Sequence, residues 1–142
     1  ATKNKLQFID TAQNESSGHK AGIVKLRIGQ KKFRNDLIRK FGHTCAFSGA
    51  CHPAALDAAH LYSYAKHGVH EDHGGLLIRK DLHGLFDEGL ICISPEKLRL
   101  KIAKEIIEID QYKALHNCKI KVAISQKSKH WIALHYEAHK NR

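Results

Sequence analysis

A chain of 142 residues with 42% hydrophobic and 27% charged residues has the composition of one globular domain with its own core. No apolar run approaches the roughly 20 residues needed to cross a bilayer, which excludes a membrane-spanning helix. Lys and Arg number 24 against 14 Asp and Glu, giving a net charge of +10. Such an excess attracts polyanions, above all nucleic acid, although a merely soluble basic protein would carry the same charge.

The N-terminal residues differ in composition from the rest of the chain. Residues 1–20 are polar and include the stretch QNESSG, which is typical of a linker. They lack the basic-then-apolar layout of a signal peptide, and the missing initial Met suggests a domain excised from a longer protein. We therefore expect a flexible segment or linker over 1–20 and one domain over 21–142.

The four cysteines are irregularly spaced. Cys45 and Cys51 are further apart than the paired ligands of common zinc sites, and Cys92 lies in an apolar run. The pattern favours reduced thiols in a cytoplasmic protein, with a structural zinc or a disulfide as the less favoured alternatives.

A helix is predicted from Gly29, where apolar residues begin to recur at helical spacing, and Gly42 is predicted to end it. The other faces of this helix are basic, which indicates either a solvated surface or contact with DNA phosphates, and we favour a mixture of both. The apolar positions are Phe33, Leu37, Ile38 and Phe41, and the basic ones are Lys31, Lys32, Arg34, Arg39 and Lys40.

Short apolar runs and breaks organise the rest of the chain. Residues 45–47 and 55–60 are predicted to pair as strands, and the polar loop 61–73 is long enough to be functional. An apolar run at 76–78 then returns to the core. The remaining predicted elements are a helix at 79–87, a hairpin from 90–94 and 97–102, a helix at 110–116, a strand at 119–124 and a helix at 130–139.

The stretch from Leu56 to Gly89 concentrates the chemistry. His60 ends an apolar run that also contains Asp57, and His83 lies on a short helical segment between two further acids. The polar loop between them holds three more histidines, His67, His70 and His73. Two histidines at opposite ends of such a unit, each beside a carboxylate, suit one metal ion and one general base, which indicates a nuclease active site.

At these residues the sequence resembles the HNH endonucleases, the ββα-metal nucleases, and in particular the branch found at the C-terminal end of restriction-type nucleases. The matching pieces, in order, are GQxxFR from Gly29, CxxSG from Cys45, LDAAHL from Leu56 and GLLIRxDLHxLFDxG from Gly75. The resemblance implies an α+β fold with a ββα-metal (HNH) core, flanking helices and a small β-hairpin. It also implies metal-dependent hydrolysis of DNA phosphodiester bonds.

The resemblance assigns roles to the two histidines. His60 falls on the general base, and an imidazole is suited to accept a proton from water near neutral pH. His83 falls on a ligand of the single divalent ion. Magnesium or manganese suits oxygen-rich coordination, whereas a histidine ligand leans toward manganese, nickel or zinc.

Two positions depart from the family pattern. Ala59 stands where many members carry a second metal ligand, so Asp57, on the same strand face, and Asp87, on the same helix face as His83, become candidate ligands. For Asp87, a salt bridge or a turn cap is an equal alternative. Gly74 stands where the family has an Asn that orients the base, so that role falls to His73 or to backbone atoms.

Arg79 and Lys80 lie between the two histidines and, with Arg34, are candidate contacts for DNA phosphates. The alternative for Arg79 is a salt bridge with Asp81 or Glu88. DNA is the expected partner, and a homodimer would most easily cut both strands. The competing hypothesis for the whole chain is a non-catalytic DNA-binding module in which histidines and cysteines hold a structural zinc.

Overall fold

The computed structural model describes residues 17–62 and 74–142, and they form a mixed α+β fold, as the sequence predicted. The helices are α1 (Ser17–Phe41), α2 (Lys80–Asp87), α3 (Asp110–Lys113) and α4 (Gln126–His139), with a 3-10 turn at Pro53–Ala55. The strands are β1 (Thr44–Cys45), β2 (Gly49–Ala50), β3 (Leu56–His60), β4 (Gly75–Arg79), β5 (Ile91–Ile93) and β6 (Leu100–Ile102). Among the described residues, no helix is long and apolar enough to cross a membrane.

Helix α1 begins at Ser17, well before the predicted start at Gly29. Its first half carries fewer apolar residues, but Ile23 and Leu26 are buried and continue the inward stripe of the second half. The helix ends as predicted, because Gly42 adopts a φ of 73° and donates its N–H to the carbonyl of Ile38 at 2.8 Å. Residues 17–20 are thus helical, and residues 1–16 lie outside the described part of the chain.

The predicted pairing of 45–47 with 55–60 is wrong. Strand β1 pairs with β2, whereas β3 pairs antiparallel with β4 over five residues, from Leu56 opposite Arg79 to His60 opposite Gly75. Strand β4 is buried along nearly its whole length, so both of its edges need hydrogen-bond partners. β3 supplies one partner, and the N–H of Ala46 donates to the carbonyl of Leu77 at 2.8 Å on the other side.

The cysteines are free thiols, and Cys45 links the first turn to the main strand pair. Its Sγ accepts the backbone N–H groups of Phe47 and Ser48 at 3.4 Å and that of Arg79 at 3.3 Å. The CxxSG piece therefore holds the turn before β2 against the end of β4.

The C-terminal third confirms the β5–β6 hairpin but differs elsewhere. The predicted strand at 119–124 is reduced to one bridge between Arg99 and Lys119. Helix α4 starts earlier than predicted, where the Ser125 hydroxyl accepts the N–H of Ser128 at 3.1 Å.

From sequence, the inward positions of α4 are predicted to be Trp131, Leu134 and Ala138, and of these Trp131 packs against the core. Leu134 is 55% exposed and Ala138 is exposed, whereas Ile132 is buried and packs in the core. Helices α1 and α2 both contact the β3–β4 pair, and α4 packs on β5. The core therefore fixes the relative position of β3, β4 and α2, the elements that carry the candidate site.

Candidate active site

The candidate site is built on three consecutive elements, the antiparallel strands β3 and β4 and the helix α2 that follows them directly. Leu82 and Phe86 bury one face of α2 in the core. Their neighbours His83 and Asp87, four residues apart, therefore share an adjacent face of the helix. On β3, Asp57 points to this face and contacts His83 across the strand–helix junction.

The imidazole of His83 lies between two carboxylates. Its Nδ1 is 2.9 Å from Oδ2 of Asp57, and its Nε2 is 3.2 Å from Oδ2 of Asp87. The His83 side chain is 12% exposed, and the two carboxylates are about one-third exposed. Asp57 also accepts a hydrogen bond from Nζ of Lys80 at 2.9 Å, on its other oxygen.

The Nε2 atom of His83 is buried and has no hydrogen bond, despite its proximity to Asp87. A carboxylate accepts hydrogen bonds, so Nδ1 of His83 must donate to Asp57, and this leaves a lone pair on Nε2 in the neutral ring. That lone pair faces a second anion. The arrangement therefore needs positive charge at Nε2, supplied either by a second proton or by a metal ion.

The ionisation of this cluster follows from its geometry. Burial lowers the pKa of His83, but the contacts with Asp87 and Asp57 outweigh burial, so the pKa lies above its ordinary value. Burial raises the pKa of both carboxyls, but His83, together with Lys80 at Asp57, outweighs it, so both pKa values are lowered. Without metal, the cluster favours His83 in its protonated form between two carboxylates.

These shifts predict how stability depends on pH in EDTA-treated protein. A raised pKa at His83 stabilises the fold below about pH 6.5, and that contribution is lost as pH rises through the folded value. Lowered pKa values at Asp57 and Asp87 stabilise it above about pH 3.9, and that contribution is lost as pH falls. The cluster should therefore stabilise the metal-free protein most between these limits.

Urea unfolding across pH 3–8 would measure this, with His83→Gln as the matched variant. The difference in unfolding free energy between wild type and His83→Gln should shrink above about pH 6.5, the ordinary pKa of the imidazole. A difference that stays constant from pH 5 to pH 8 would contradict the assignment of a raised pKa to His83.

His60 ends β3 and is 4% exposed. Its ring stacks on Phe33 of α1, with centroids 4.3 Å apart and planes within 3°, and packs edge to face with Tyr62 at 5.3 Å. The preceding residue, Ala59, is fully buried in the core, so an acid at that position would be desolvated. Asp57 reaches His83 from two residues earlier instead.

The three predicted DNA-contacting cations have protein partners. Arg79 forms a two-point salt bridge with Asp81, at 2.7 and 3.1 Å, and Lys80 bonds Asp57. Arg34 donates to the carbonyls of Pro53, at 2.6 Å, and Leu56, which ties α1 to the start of β3. Their contact with DNA remains a prediction. The loop histidine His73 lies outside the described residues.

His135 lies four residues before His139, and from sequence such a pair could bind metal but, at the end of a basic chain, is predicted to be simply exposed. In the structure its ring stacks on Phe86 at 4.0 Å, and its Nε2 lies 2.8 Å from the Phe86 carbonyl oxygen. Burial lowers the pKa of His135, so the neutral ring is favoured as a donor to that carbonyl. The spacing from Ser128 through Ile132 to His135 was the available signal for this inward face.

The described residues do not contain a closed metal cage. In residues 17–62 and 74–142, no three His, Cys, Asp or Glu side chains converge on one point suited to a metal ion. Asp57 and Asp87 instead approach different nitrogens of the same ring. A site made from this cluster would therefore be open, with few protein ligands.

Comparison with known protein families gives a match over part of the chain. Residues 45–94, which run from Cys45 through β5, match the family model described as HNH endonuclease. No curated protein matches the chain. The match covers less than half of the chain but includes all of β3, β4 and α2, and it confirms the resemblance over those residues.

Proposed function

We infer that this chain, whose residues 45–94 belong to the HNH endonuclease family, is a metal-dependent nuclease that hydrolyses DNA phosphodiester bonds. The observation that carries this proposal is the buried Nε2 of His83, which has no hydrogen bond and lies 3.2 Å from Asp87. A divalent ion at that position would supply the positive charge that the two carboxylates require. Its location on the family-matched strand pair and helix supports a catalytic role.

We assign metal binding to Nε2 of His83 and the carboxylate of Asp87. Asp57 then has a different role from the one considered for it from sequence, because it contacts Nδ1. A carboxylate on the far nitrogen of a metal-binding histidine fixes the tautomer and the ring orientation. Two protein ligands suffice for magnesium or manganese, which usually keep several waters and also bind substrate phosphate oxygens.

When bound, the ion would stabilise negative charge on the scissile phosphate and the departing oxygen. His60 is proposed to take the proton from the attacking water. The parallel stack with Phe33 lies against a face of the imidazole, whereas the lone pair that would accept the proton lies in the ring plane. Hydrolysis therefore has a base on β3 and a metal-binding pair on α2, joined by the β3–β4 pair.

The charge of the chain supports a polyanionic substrate. A net charge of +10 draws DNA to the surface, and Arg79 and Lys80 lie at the start of α2, next to the cluster. A DNA phosphate can compete with a carboxylate for either side chain. We therefore propose that DNA phosphate replaces Asp81 as the partner of Arg79 and Asp57 as the partner of Lys80. The restriction-type assignment and the choice of magnesium or manganese belong to the same proposal.

The structural-zinc alternative is less well supported. A structural zinc needs four ligands, usually cysteines and histidines, around one ion. Within the described ranges no such group exists, and the cysteine Cys45 accepts three backbone N–H groups. An open site also predicts a metal that exchanges, whereas a closed zinc site would resist removal.

Plasmid cleavage tests the proposal directly. Protein dialysed against EDTA should remain folded by circular dichroism and should leave supercoiled DNA intact, and added Mg²⁺ or Mn²⁺ should restore cutting. Discrete fragments would support the restriction-type assignment, whereas a smear would contradict it. Folded protein that shifts DNA in a gel but never cuts it with Mg²⁺, Mn²⁺, Ni²⁺ or Zn²⁺ would overturn the nuclease assignment.

A further inference from the structure

Two consecutive glycines follow the loop, and both lie against aromatic rings. A Cβ added at Gly74 would be 1.9 Å from Cε1 of Tyr62, and one added at Gly75 would be 2.3 Å from Cζ of Phe33. Gly75 does not have a positive φ, unlike Gly42, Gly49 and Gly89. The close approach of a ring is what requires glycine at 74 and 75.

The two rings that occupy this space are the ones that contact His60. Phe33 comes from α1 and stacks on the imidazole, and Tyr62, two residues after His60, meets it edge to face. Gly75 is the residue paired with His60 across the β3–β4 ladder, and the carbonyl of Gly74 accepts the N–H of Leu61 at 2.8 Å. The glycine pair thus lies directly opposite the base and leaves room for both rings.

Both rings are held from outside the strand pair. Phe33 is 5% exposed in the core, and the Tyr62 ring packs on Trp131 of α4 with centroids 5.1 Å apart. A parallel stack at one face and a packed edge at another restrict rotation of the imidazole about its side-chain bonds. A base must lie within hydrogen-bond reach of the water it activates, so its orientation matters to the rate.

We propose that Phe33 and Tyr62 position the imidazole of His60, and that Gly74 and Gly75 are required because any side chain there would displace these rings. The proposal rests on the nuclease function inferred above. It also accounts for the departure at position 74. An Asn at that position, as the resemblance leads one to expect, would collide with Tyr62. The two aromatic residues then take the orienting role that an Asn side chain at position 74 would have.

Variants at Gly74, Phe33 and Tyr62 test this positioning role. Gly74→Ala and Gly74→Asn should lower the single-turnover cleavage rate at saturating protein by about 10- to 100-fold, as expected for a base displaced by around 1 Å. Phe33→Leu and Tyr62→Ala should act similarly, whereas Tyr62→Phe, which keeps the ring, should retain most of the rate. DNA affinity should be unchanged throughout. Gly22→Ala in α1 is the matched control, since a Cβ there meets nothing within 4 Å.

Proton NMR measures the position of the His60 imidazole relative to the Phe33 ring independently of cleavage. In histidine-labelled protein, the carbon-bound imidazole protons of His60 should be shifted upfield by the Phe33 ring, and Phe33→Leu and Gly74→Asn should move them toward ordinary values. Tyr62→Phe and Gly22→Ala should leave them in place. If Phe33→Leu unfolds the protein, Gly74→Ala and Tyr62→Ala carry the test.

The outcomes separate the two proposals. A wild-type protein that never cuts DNA defeats the nuclease assignment, while the His60 proton shifts still decide whether the rings hold the imidazole. Folded variants with moved His60 resonances and a wild-type cleavage rate would overturn the positioning role. Gly74→Asn that cuts faster than wild type would overturn it as well, because a polar side chain would then have supplied the orientation.

Discussion

Supercoiled plasmid treated with the His60→Ala variant and Mn²⁺ is expected to remain intact under conditions in which the wild type cuts it. Removal of a general base costs about 10²- to 10⁴-fold in rate, and the fall should appear in the single-turnover rate constant rather than in DNA affinity. The proposed metal ligands on α2, His83 and Asp87, are untouched by this change, so Mn²⁺ affinity measured by calorimetry should stay at the wild-type value.

His43→Ala is the matched control, because His43 is an exposed histidine whose described hydrogen bond uses its backbone carbonyl. The Ala variant also leaves a space beside Phe33 that an imidazole molecule fits, so millimolar imidazole should restore part of the rate. A His60→Ala protein that cuts DNA within threefold of wild type would exclude His60 as the base.

The second large effect is expected at the two proposed metal ligands, His83 and Asp87. His83→Ala and Asp87→Asn should each abolish detectable Mn²⁺ binding and lower cleavage by about 10³-fold or more, since a catalytic metal supplies several kcal/mol of charge stabilisation. Asp57→Asn should cost less, about 10- to 100-fold, because Asp57 orients the His83 ring through Nδ1 rather than binding the metal.

Calorimetric titration with Mn²⁺ and the plasmid assay check this order. Glu88→Gln is the control, since it removes a carboxylate charge one residue beyond Asp87. Arg142 donates to the backbone carbonyl of Glu88, so this change does not remove that hydrogen bond. Equal losses in Asp57→Asn and Asp87→Asn would instead place both carboxylates on the metal. A larger loss of cleavage in Asp57→Asn than in Asp87→Asn would make Asp57 the metal ligand and Asp87 the residue that orients the His83 ring.

The local features of the fold were predictable from sequence. Gly42 ends α1 because it accepts a positive φ, and the apolar run of β4 reads as a buried strand. Helix α2 was predicted because Leu82 and Phe86 recur at helical spacing, and both are buried in the structure. In each case a short pattern determines a local structure. The start of α1 was missed because its first half has too few apolar residues for a clear period.

The pairing of strands and the partners of polar groups depend on distant residues. The predicted pairing of 45–47 with 55–60 was wrong, because β1 pairs with β2 and β3 pairs with β4 across the loop. The pattern of short apolar runs does not indicate which of them pair. For Asp57 and Asp87, sequence left the second ligand open. The choice depends on which nitrogen of His83 each carboxylate faces, and only the fold determines that.

Aromatic contacts were the least predictable part of the site. His135 contacts Phe86 across 49 residues of chain, and Phe33 meets His60 from a different helix. Gly74 looked like a missing Asn, because sequence shows the absent side chain but not the tyrosine ring that fills its place. Such features arise from packing between elements, for which one sequence carries no periodic signal.

The segment that matches the family model is not a self-sufficient module. Three residues that support the site lie outside residues 45–94. Phe33 stacks on His60, Trp131 packs on Tyr62, and His135 stacks on Phe86 at the end of α2. A graft of the strand–strand–helix unit into another protein would carry the reactive groups without the surfaces that hold them. Transfer of this unit alone would leave behind both helices, α1 and α4, that pack around it.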